Sequence, residues 1–406
     1  MSYTADLHLH SRYAYATSKA LSLEALARWA RLKGIQLLAT ADFTHPAWFQ
    51  ELKAKLVEDL PGLYRSGGVN FVLGTEVSCV YQQAQRRRRV HLLLLAPDLA
   101  TVARLNRALA THGNLALDGR PTLALSGRDF TALVLGTSPD CIVVPAHVWT
   151  PWYGVYGSKS GFDHLEECFL DMTPHIRAVE TGLSSDPAMN WPVPELSDRT
   201  IVSFSDAHSL PKLGRELTVF RGEVSYRGLA EALAHNGVEY TVEFYPEEGK
   251  YHYDGHRKCG IRQAPSASRA PDARCPACQR PLTLGVLHRT QQLAVGEAGG
   301  TRDSSGFVHS PQGRPPFIRL LPLLEVLAAT LGQGVATRRV QAEYQRILQE
   351  LGDELTVLLN TSAADLEAVA GERLARGVLK ARMGDIQVQP GYDGLFGKIC
   401  LWPDGV

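Results

Sequence analysis

Seven segments of this chain place a histidine, aspartate or glutamate inside or just after a short apolar run. The first and last segments are the most informative, because they carry such residues in pairs, as His-x-His and Asp-x-His. Alternate residues of a strand share one face, so both members of each pair can address one site. The residues concerned are His8, His10, Asp42, His45, Glu76, His91, His147, Glu180, Asp206 and His208.

These residue types suit a multinuclear metal centre. The carboxyl ends of parallel strands converge on one face of a sheet or barrel, so most of these side chains are expected to meet there. Imidazoles and bridging carboxylates suit zinc, manganese or iron. Two or three such ions can bind phosphodiester oxygens and lower the pKa of a water molecule, which makes hydrolysis the leading reaction class. Amidohydrolases also hold metal at the mouth of a βα barrel, so the fold alone does not decide whether the substrate is an amide or a phosphate ester.

The elements that must position these residues alternate between strand and helix over residues 1–245. Ser22 can cap a helix through Leu32, and Gly34 can close it before the next strand. This order predicts an α/β protein whose first domain, residues 1–245, is a βα barrel. Residues 296–316 are rich in Gly, Ser, Arg and Pro and predict a flexible linker. Residues 320–331, 336–351 and 363–381 are expected to form three helices in a C-terminal region, residues 317–406, that is expected to help clamp DNA.

Residues 246–295 predict a zinc-binding module. The chain has seven cysteines and no recognisable export signal at its start, which argues against a disulfide framework. His256-x2-Cys259 and Cys275-x2-Cys278 let two turns each offer two ligands to one tetrahedral, structural zinc. His252 lies four residues before His256 and is the alternative fourth ligand.

Composition places further limits on the partners. Lys+Arg and Asp+Glu number 42 each, so a polyanion such as DNA must be held by local patches and not by net charge. The longest apolar stretches are far shorter than the roughly 20 residues needed to cross a bilayer. The sequence therefore predicts a cytoplasmic protein without a membrane partner.

Candidate contacts to nucleic acid lie in two segments. Arg88 belongs to a run of four arginines just before His91, where it can meet a phosphate backbone or simply face solvent. Lys159 lies in a glycine-flanked loop that can approach a phosphate closely. Trp152 and Tyr156, in the same segment, can stack on an extruded base or fill a core.

The metal-ligand series resembles the polymerase-and-histidinol-phosphatase (PHP) family of metal-dependent phosphoesterases over about residues 1–245. Longer strings resemble the endonuclease Q family of DNA repair nucleases, which belongs to this group. They include HSRYAYATSK (10–19), ADFTHPAWFQEL (41–52), SDAHSLPKLGRE (205–216), YHYDGHRKC (251–259) and PGYDGLFGKI (390–399). The resemblance spans nearly the whole chain and implies a distorted, PHP-type barrel.

The resemblance also implies a ligand set. His8, His10, Glu76 and Asp206 would hold one ion, and Glu76 would bridge to a second ion held by His91 and His147. A third ion would belong to His208 with Asp42 and His45 nearby. The wider family often has histidines where this chain has Tyr15 and Phe43, so the resemblance leaves open whether the site holds two ions or three. The candidate metals are zinc, manganese, magnesium and iron.

The activity that the resemblance implies is hydrolysis of the DNA phosphodiester on the 5′ side of deaminated bases (uracil, hypoxanthine, xanthine) and of abasic sites. His8, His10, Glu76 and Asp206 would form the catalytic set, with Asp206 orienting or deprotonating the attacking water. Recruitment by a sliding clamp is left open. The alternatives are a PHP-type phosphatase or amidohydrolase for a small metabolite, and a non-catalytic DNA-binding scaffold, against which the nearly complete ligand set argues.

Overall fold

The computed structural model describes residues 1–267, 273–296 and 298–403. The strands are β1 (Ser2–Asp6), β2 (Leu37–Ala39), β3 (Val57–Leu60), β4 (Leu63–Ser66), β5 (Val69–Gln83), β6 (Arg86–Ala96), β7 (Thr122–Leu123), β8 (Ile142–Pro145), β9 (Ala178–Glu180), β10 (Thr200–Val202), β11 (Leu217–Arg221), β12 (Val238–Glu243), β13 (Asp254–His256), β14 (Ile261–Gln263), β15 (Thr301–Arg302), β16 (Val308–His309), β17 (Phe317–Arg319), β18 (Gln387–Gln389) and β19 (Lys398–Cys400).

The α-helices are α1 (Leu23–Lys33), α2 (Pro46–Lys55), α3 (Leu99–Leu109), α4 (Gly127–Thr137), α5 (Leu165–Phe169), α6 (Pro187–Asn190), α7 (Tyr226–Ala234), α8 (Val286–Leu293), α9 (Leu323–Leu331), α10 (Arg338–Leu351), α11 (Glu354–Leu359), α12 (Ala363–Ala370) and α13 (Glu372–Met383). Short 3₁₀ helices cover Leu170–His175, Pro194–Leu196, Leu210–Lys212, Pro246–Glu248, Arg257–Cys259 and Pro265–Ala267.

A distorted barrel forms the first part of the protein. Hydrogen bonds join the strands in the order β12, β11, β1, β2, β5, β6 and β8. The pairs β1–β2 and β2–β5 are parallel, whereas β5–β6, β6–β8 and β11–β1 are antiparallel. The parallel pair β9–β10 packs between β8 and β12 and fills the gap in the ring. The predicted α/β architecture is therefore confirmed, although its sheet is mixed.

Local sequence explains how α1 begins and ends. The Ser22 side chain accepts a hydrogen bond from the backbone N–H of Ala25, as an N-cap does. Gly34 ends the helix with a φ of 81°, a left-handed conformation that glycine adopts without strain. A Cβ at Gly34 would also collide with the carboxylate of Asp353, which packs against this turn. The glycine therefore both ends α1 and admits the C-terminal helical region.

The C-terminal helical region is present, with two differences from the expected three helices. The stretch 363–381 is divided into α12 and α13 by Gly371, whose φ of 81° is incompatible with a continuous helix. The short helix α11, which begins at the N-cap Asp353, was not expected. Within the predicted linker, β15 and β16 extend the sheet next to β17. The domain boundaries themselves stay predictions.

No helix in the described ranges is long and apolar enough to span a bilayer.

A buried ion pair joins the barrel to the helical region. The Lys33 ammonium, at the end of α1, lies 2.8 Å from Oε2 of Glu354 in α11, and both side chains are almost fully buried. Glu354 also accepts hydrogen bonds from the Tyr344 hydroxyl (2.7 Å) and the Leu323 backbone (3.1 Å). Every oxygen of this carboxylate is thus satisfied, which offsets the cost of burying the charge.

Lys33→Met is expected to destabilise the protein by about 3–5 kcal/mol, because it leaves the buried Glu354 carboxylate without its counter-ion. Thermal and urea unfolding measure the loss. Arg227→Met is the matched control, since Arg227 forms an exposed ion pair with Glu231 and its removal should leave the midpoint nearly unchanged. Equal midpoints for the two variants would contradict this role of the Lys33–Glu354 pair.

Candidate metal centre

The predicted ligands converge on one end of the barrel. His8 and His10 follow β1, His147 follows β8, and Asp206 follows β10, whereas Glu76 and His91 lie within the antiparallel strands β5 and β6. All six are buried except Asp206, whose side chain is 23% exposed. A water-accessible carboxylate thus stands at the edge of an otherwise closed cluster.

The first group of ligands consists of His8, His10, Glu76 and Asp206. Nε2 of His10 lies 3.1 Å from Oδ1 of Asp206 and 3.3 Å from Oε2 of Glu76. Nε2 of His8 lies 3.4 Å from the same Glu76 oxygen and 3.5 Å from Asp206. One ligand atom from each residue lies within 4.8 Å of the others, which suits a single ion.

The second group shares Glu76. Its other oxygen, Oε1, lies 2.7 Å from Nδ1 of His91 and 3.1 Å from Nε2 of His147. The two imidazole nitrogens are 3.2 Å apart. Since Glu76 turns one oxygen to each group, it has the geometry of a carboxylate that bridges two ions.

Buried polar atoms test whether this site fits metal ions. Nε2 of His8 points into the first group and has no hydrogen-bond partner among the described residues. A buried nitrogen is costly without a partner, and an ion would provide one. The donor set, imidazole nitrogens and carboxylate oxygens, is that of zinc, manganese or iron sites. The residues therefore fit two divalent ions.

The charges of the site favour ionised carboxylates. Burial acts to raise the pKa of Glu76, but the neighbouring His91 and Arg120 outweigh it and hold that pKa well below its usual range. Burial likewise opposes ionisation of Asp206, yet His8 and His10 lower its pKa. Burial also lowers the pKa of His91 to about 4. Anionic carboxylates and a neutral imidazole are the forms that bind metal. Burial acts to lower the pKa values of His8 and His10, but Glu180 and Asp42 with the other nearby carboxylates raise them, so these two rings would release a proton when an ion binds.

Two further carboxylates orient the ligand rings. Glu180 lies 2.9 Å from Nδ1 of His8 and also accepts a hydrogen bond from the backbone of His147 (2.7 Å). Asp42 lies 3.1 Å from Nδ1 of His10 and accepts a hydrogen bond from the backbone of Ser11 (2.6 Å). Holding Nδ1 in this way turns Nε2 of each ring toward the centre.

The three residues predicted for a third ion do not form a ligand group in the part of the chain that the structure describes. Asp42 contacts His10 instead, as a partner that orients its ring. The His45 ring stacks on Tyr13 at 4.4 Å, and the His208 ring packs on His10 at 4.5 Å. A third ion therefore stays a prediction.

Strained backbone accompanies the ligands. Ala41, Asp42, His147 and Asp206 have φ values of 60°, 39°, 29° and 45°, in the left-handed region that side chains rarely adopt. Each such residue costs about 1–3 kcal/mol. All four follow barrel strands, where the chain must turn sharply to keep the next side chain at the centre.

Arg120 belongs to the site, although no sequence signal pointed to it. Its Nη1 lies 3.1 Å from Oε2 of Glu76, and its loop packs against the site at Gly119, where a Cβ would collide with the Asp42 carboxylate. It is a single arginine on an irregular loop, with no spacing pattern to distinguish it from the other basic residues.

A cavity of about 710 Å³ opens next to the centre. His91, His147 and Asp206 contribute to its wall from the barrel. Trp152, whose ring lies 5.1 Å from that of Tyr251, contributes from the loop after β8. Metal-ligand residues therefore bound the cavity on the barrel side, and aromatic and charged side chains such as Tyr251 and Lys250 bound the rest.

The other predicted DNA contacts lie differently. Tyr156 is fully buried and packs on Trp149 at 4.8 Å. Arg88 is buried in β6 with its guanidinium 4.0 Å above the Phe162 ring. Lys159 is exposed and outside the lining of the cavity. In this conformation Tyr156 and Arg88 stabilise the loop after β8, and a DNA contact by any of the three stays a prediction.

Residues 246–295, the predicted zinc module, bring together the four predicted ligands. One atom each of His256, Cys259, Cys275 and Cys278 lies within 4.8 Å of the others, and Nδ1 of His256 is 3.4 Å from Sγ of Cys278. His252, the alternative, is outside this group and stacks on Tyr253. Desolvation acts to raise the pKa of Cys275, but the backbone N–H groups of Cys278 and Ala277 lower it to about 7, which favours a thiolate ligand.

Two solved structures are similar to nearly the whole chain. The crystal structure of the lesion-specific endonuclease PfuEndoQ from Pyrococcus furiosus is 29% identical, with a TM-score of 0.85, and the match covers 98% of this chain and 95% of that one. A crystal structure of endonuclease Q in complex with a 27-mer duplex substrate with an abasic lesion at the active site is 28% identical, with a TM-score of 0.84 and coverage of 100% and 99%.

Residues 322–385 match the family described as the MJ0043 C-terminal domain. A curated relative, the uncharacterised protein MJ0043 of Methanocaldococcus jannaschii, is 32% identical over 283 residues, which are 67% of this chain and 33% of the relative. The chain thus spans about a third of that relative's length. The solved structures confirm the predicted resemblance to endonuclease Q and the predicted fold class. The metal-ligand groups supply residues that can hold divalent ions at the end of this barrel.

Cys275→Ser is expected to remove about one tightly bound zinc per chain and to lower the unfolding temperature, because a four-ligand zinc site contributes folding free energy. Elemental analysis and thermal unfolding measure the two effects. Cys400→Ser is the control, since Cys400 is exposed and outside the group. If zinc content and stability were both unchanged in Cys275→Ser, the four residues would not form a structural site.

Proposed function

We propose that this chain, which has the fold of endonuclease Q, is a DNA repair endonuclease that hydrolyses the phosphodiester 5′ of deaminated bases (uracil, hypoxanthine, xanthine) and of abasic sites. The observation that carries the proposal is the cavity next to the metal-ligand groups. Its volume of about 710 Å³ lies within the range of pockets that hold small molecules, so one nucleotide fits inside. Enzymes that act at a base take it out of the duplex and read it in such a pocket.

Basic side chains around the cavity support a polyanionic substrate. Arg120, Lys212, Arg215 and Lys250 line it, although the chain has no net charge. Lys212 forms an ion pair with Glu325 (2.7 Å), and Arg215 donates to the carbonyl of Ser205 (2.8 Å), so both are fixed in place. Fixed cations at the mouth of a site can position a phosphate backbone without conferring sequence specificity.

The chemistry follows from the ligand groups. Divalent ions held by His8, His10, Glu76, His91, His147 and Asp206 would act as Lewis acids and stabilise the charge that develops on the phosphate. Asp206 is the partly exposed carboxylate of the set, and it is therefore placed to orient an attacking water. Arg120 adds a fixed positive charge beside Glu76, where it can stabilise a pentacovalent phosphate.

A small-metabolite phosphatase or amidohydrolase is the less favoured reading. Tyr251, from the predicted zinc module, and Phe396, from the C-terminal tail, line the same cavity as Asp206. A metabolite enzyme has no evident use for these additional walls, whereas a long duplex can contact them all. The native metals, a third ion, cytoplasmic location and recruitment by a sliding clamp belong to this proposal as further predictions.

Asp206→Asn is expected to reduce nicking of lesion-containing DNA by about a hundredfold or more while DNA binding persists, because a metal ligand is weakened and the basic surface is unchanged. Gel shift and nicking are measured on one preparation. Asp171→Asn is the control, since Asp171 is exposed and pairs with Arg128. If Asp206→Asn nicked the lesion-containing DNA at close to the wild-type rate, the proposal that His8, His10, Glu76 and Asp206 form the catalytic set would be wrong.

The substrate prediction is a nick immediately 5′ of deoxyuridine or deoxyinosine that leaves a 3′ hydroxyl and a 5′ phosphate. The pocket is expected to accept the carbonyl made by deamination and to reject the exocyclic amine of cytosine or adenine, because an amine facing a buried donor leaves both groups unpaired. Discrimination of several kcal/mol is expected for such a site.

The test is a denaturing gel of one 5′-labelled strand in a duplex that carries uracil, hypoxanthine, xanthine, an abasic site or no lesion. Manganese, magnesium, zinc or iron is supplied in turn. Equal cutting of the undamaged duplex would overturn lesion-directed cleavage. An alkali-labile product without a nick would indicate base release and would overturn the endonuclease assignment.

A further inference from the structure

An exposed aromatic side chain stands at the wall of the cavity. Phe396 is 73% exposed, and its neighbour Leu395 is 43% exposed. Phe396 and Gly397 line the cavity together with Lys250 and Tyr251. A large apolar side chain in water at the mouth of a candidate active site is unfavourable for the free protein, and such positions often mark a binding surface.

The loop that carries Phe396 is firmly held. The backbone N–H groups of Gly391, Gly394 and Gly397 donate to the carbonyls of Glu247 (2.8 Å), Lys250 (2.8 Å) and Glu248 (3.0 Å). Asp393 accepts hydrogen bonds from the backbone of Arg257 (2.7 Å) and from the Thr283 hydroxyl (2.7 Å). The loop is therefore tied at five points to residues 246–295, the predicted zinc module.

This rigidity distinguishes Phe396 from an apolar residue on a loose loop. A ring on a preorganised support loses little conformational freedom when it is covered by a partner. Lys250 lies 5.8 Å from the Phe396 ring and places a positive charge beside it. An aromatic ring next to a cation matches a nucleic acid, which presents stacked bases beside phosphates.

We propose that Phe396 inserts into the base stack of the duplex at the position that the target nucleotide leaves when it enters the cavity. This inference rests on the proposed function. Proteins that unstack DNA commonly insert an apolar side chain between base steps, and the inserted ring replaces part of the lost stacking. Phe396 is then a positioning residue: it keeps the nucleotide extruded and does not contact the reacting phosphate.

The experiment compares Phe396→Ala, Phe396→Trp and Val295→Ala on two substrates. Val295 is the matched control, because it is 75% exposed and outside the cavity lining. The first substrate is a duplex with one deoxyuridine opposite guanine. The second carries the same deoxyuridine inside a bubble of unpaired bases, where no stacking opposes its entry into the cavity.

Phe396→Ala is expected to slow nicking of the paired duplex by about tenfold to a hundredfold, the value of one lost stacking contact. Nicking of the bubble should remain close to the wild-type rate. Phe396→Trp should nick the paired duplex at close to the wild-type rate, because its ring can also stack on the bases. Val295→Ala should match the wild type on both substrates. A merely structural role for Phe396 predicts equal slowing on both substrates, and that result would overturn the proposal.

A second readout measures insertion directly. The Asp206→Asn variant is bound to a duplex that carries 2-aminopurine beside the deoxyuridine, and the fluorescence of the 2-aminopurine should rise on binding. Adding Phe396→Ala to this variant should abolish most of the rise. If the wild type nicks the paired duplex and Phe396→Ala nicks it equally fast, the insertion of Phe396 is overturned and the proposed function is not. A wild type that nicks neither lesion substrate would overturn the proposed function as well.

Discussion

The arrangement of the barrel depends on one buried carboxylate, Glu76. It is 1% exposed, and its two oxygens face two separate groups of histidines. A charge so deep in the protein needs compensation from every side, and the imidazoles together with Arg120 provide it. Because those partners come from the segment after β1, from β6, from the turn after β8 and from the loop before β7, these elements must all end or cross at one point. Glu76 therefore links the two ligand groups and also determines where the surrounding strands and loops must meet.

The partners of Glu76 are themselves held in strained or buried positions. Asp42 and Glu180 fix the rings of His10 and His8, and Asp42, His147 and Asp206 adopt left-handed backbone. Such conformations cost free energy that the surrounding core must offset. A site of this kind is preorganised: a bound ion would meet ligands that already point inward, and little reorganisation would be needed on binding. Because these strained residues lower the stability of the fold, we infer that this end of the barrel serves binding and not stability.

Sequence patterns predicted those parts that depend on local or periodic signals. Ser22 and Gly34 bounded α1, and the two x2 spacings predicted the four residues that come together in the candidate zinc site. The pairs in the first and last of the seven segments predicted three residues of the first ligand group, His8, His10 and Asp206. Tertiary contacts decided the rest. Arg120 belongs to no sequence pattern, and Asp42, which follows a strand as the ligands do, contacts the ligand His10 instead of forming part of a ligand group. Arg88 lies in a charged run, yet its guanidinium packs on the Phe162 ring. The break at Gly371 is a single residue within a helical pattern, and its left-handed φ cannot be distinguished in sequence from a tolerated glycine.

The walls of the cavity come from parts that are far apart in sequence, so its shape depends on how these parts are joined. Arg289, on α8 of the zinc module, donates to the carbonyls of Tyr156 and Phe162, both at 2.9 Å, and so fixes the loop after β8. Arg319, on β17, lies 2.9 Å from Asp186 of the barrel. The loop after β8 carries Trp152, and the segment bonded to the C-terminal tail carries Tyr251, so the contact between their rings closes one side of the cavity. Loss of the zinc module would therefore change the cavity without touching a single metal-ligand residue of the barrel, because the module's helix holds the wall on which the substrate would rest.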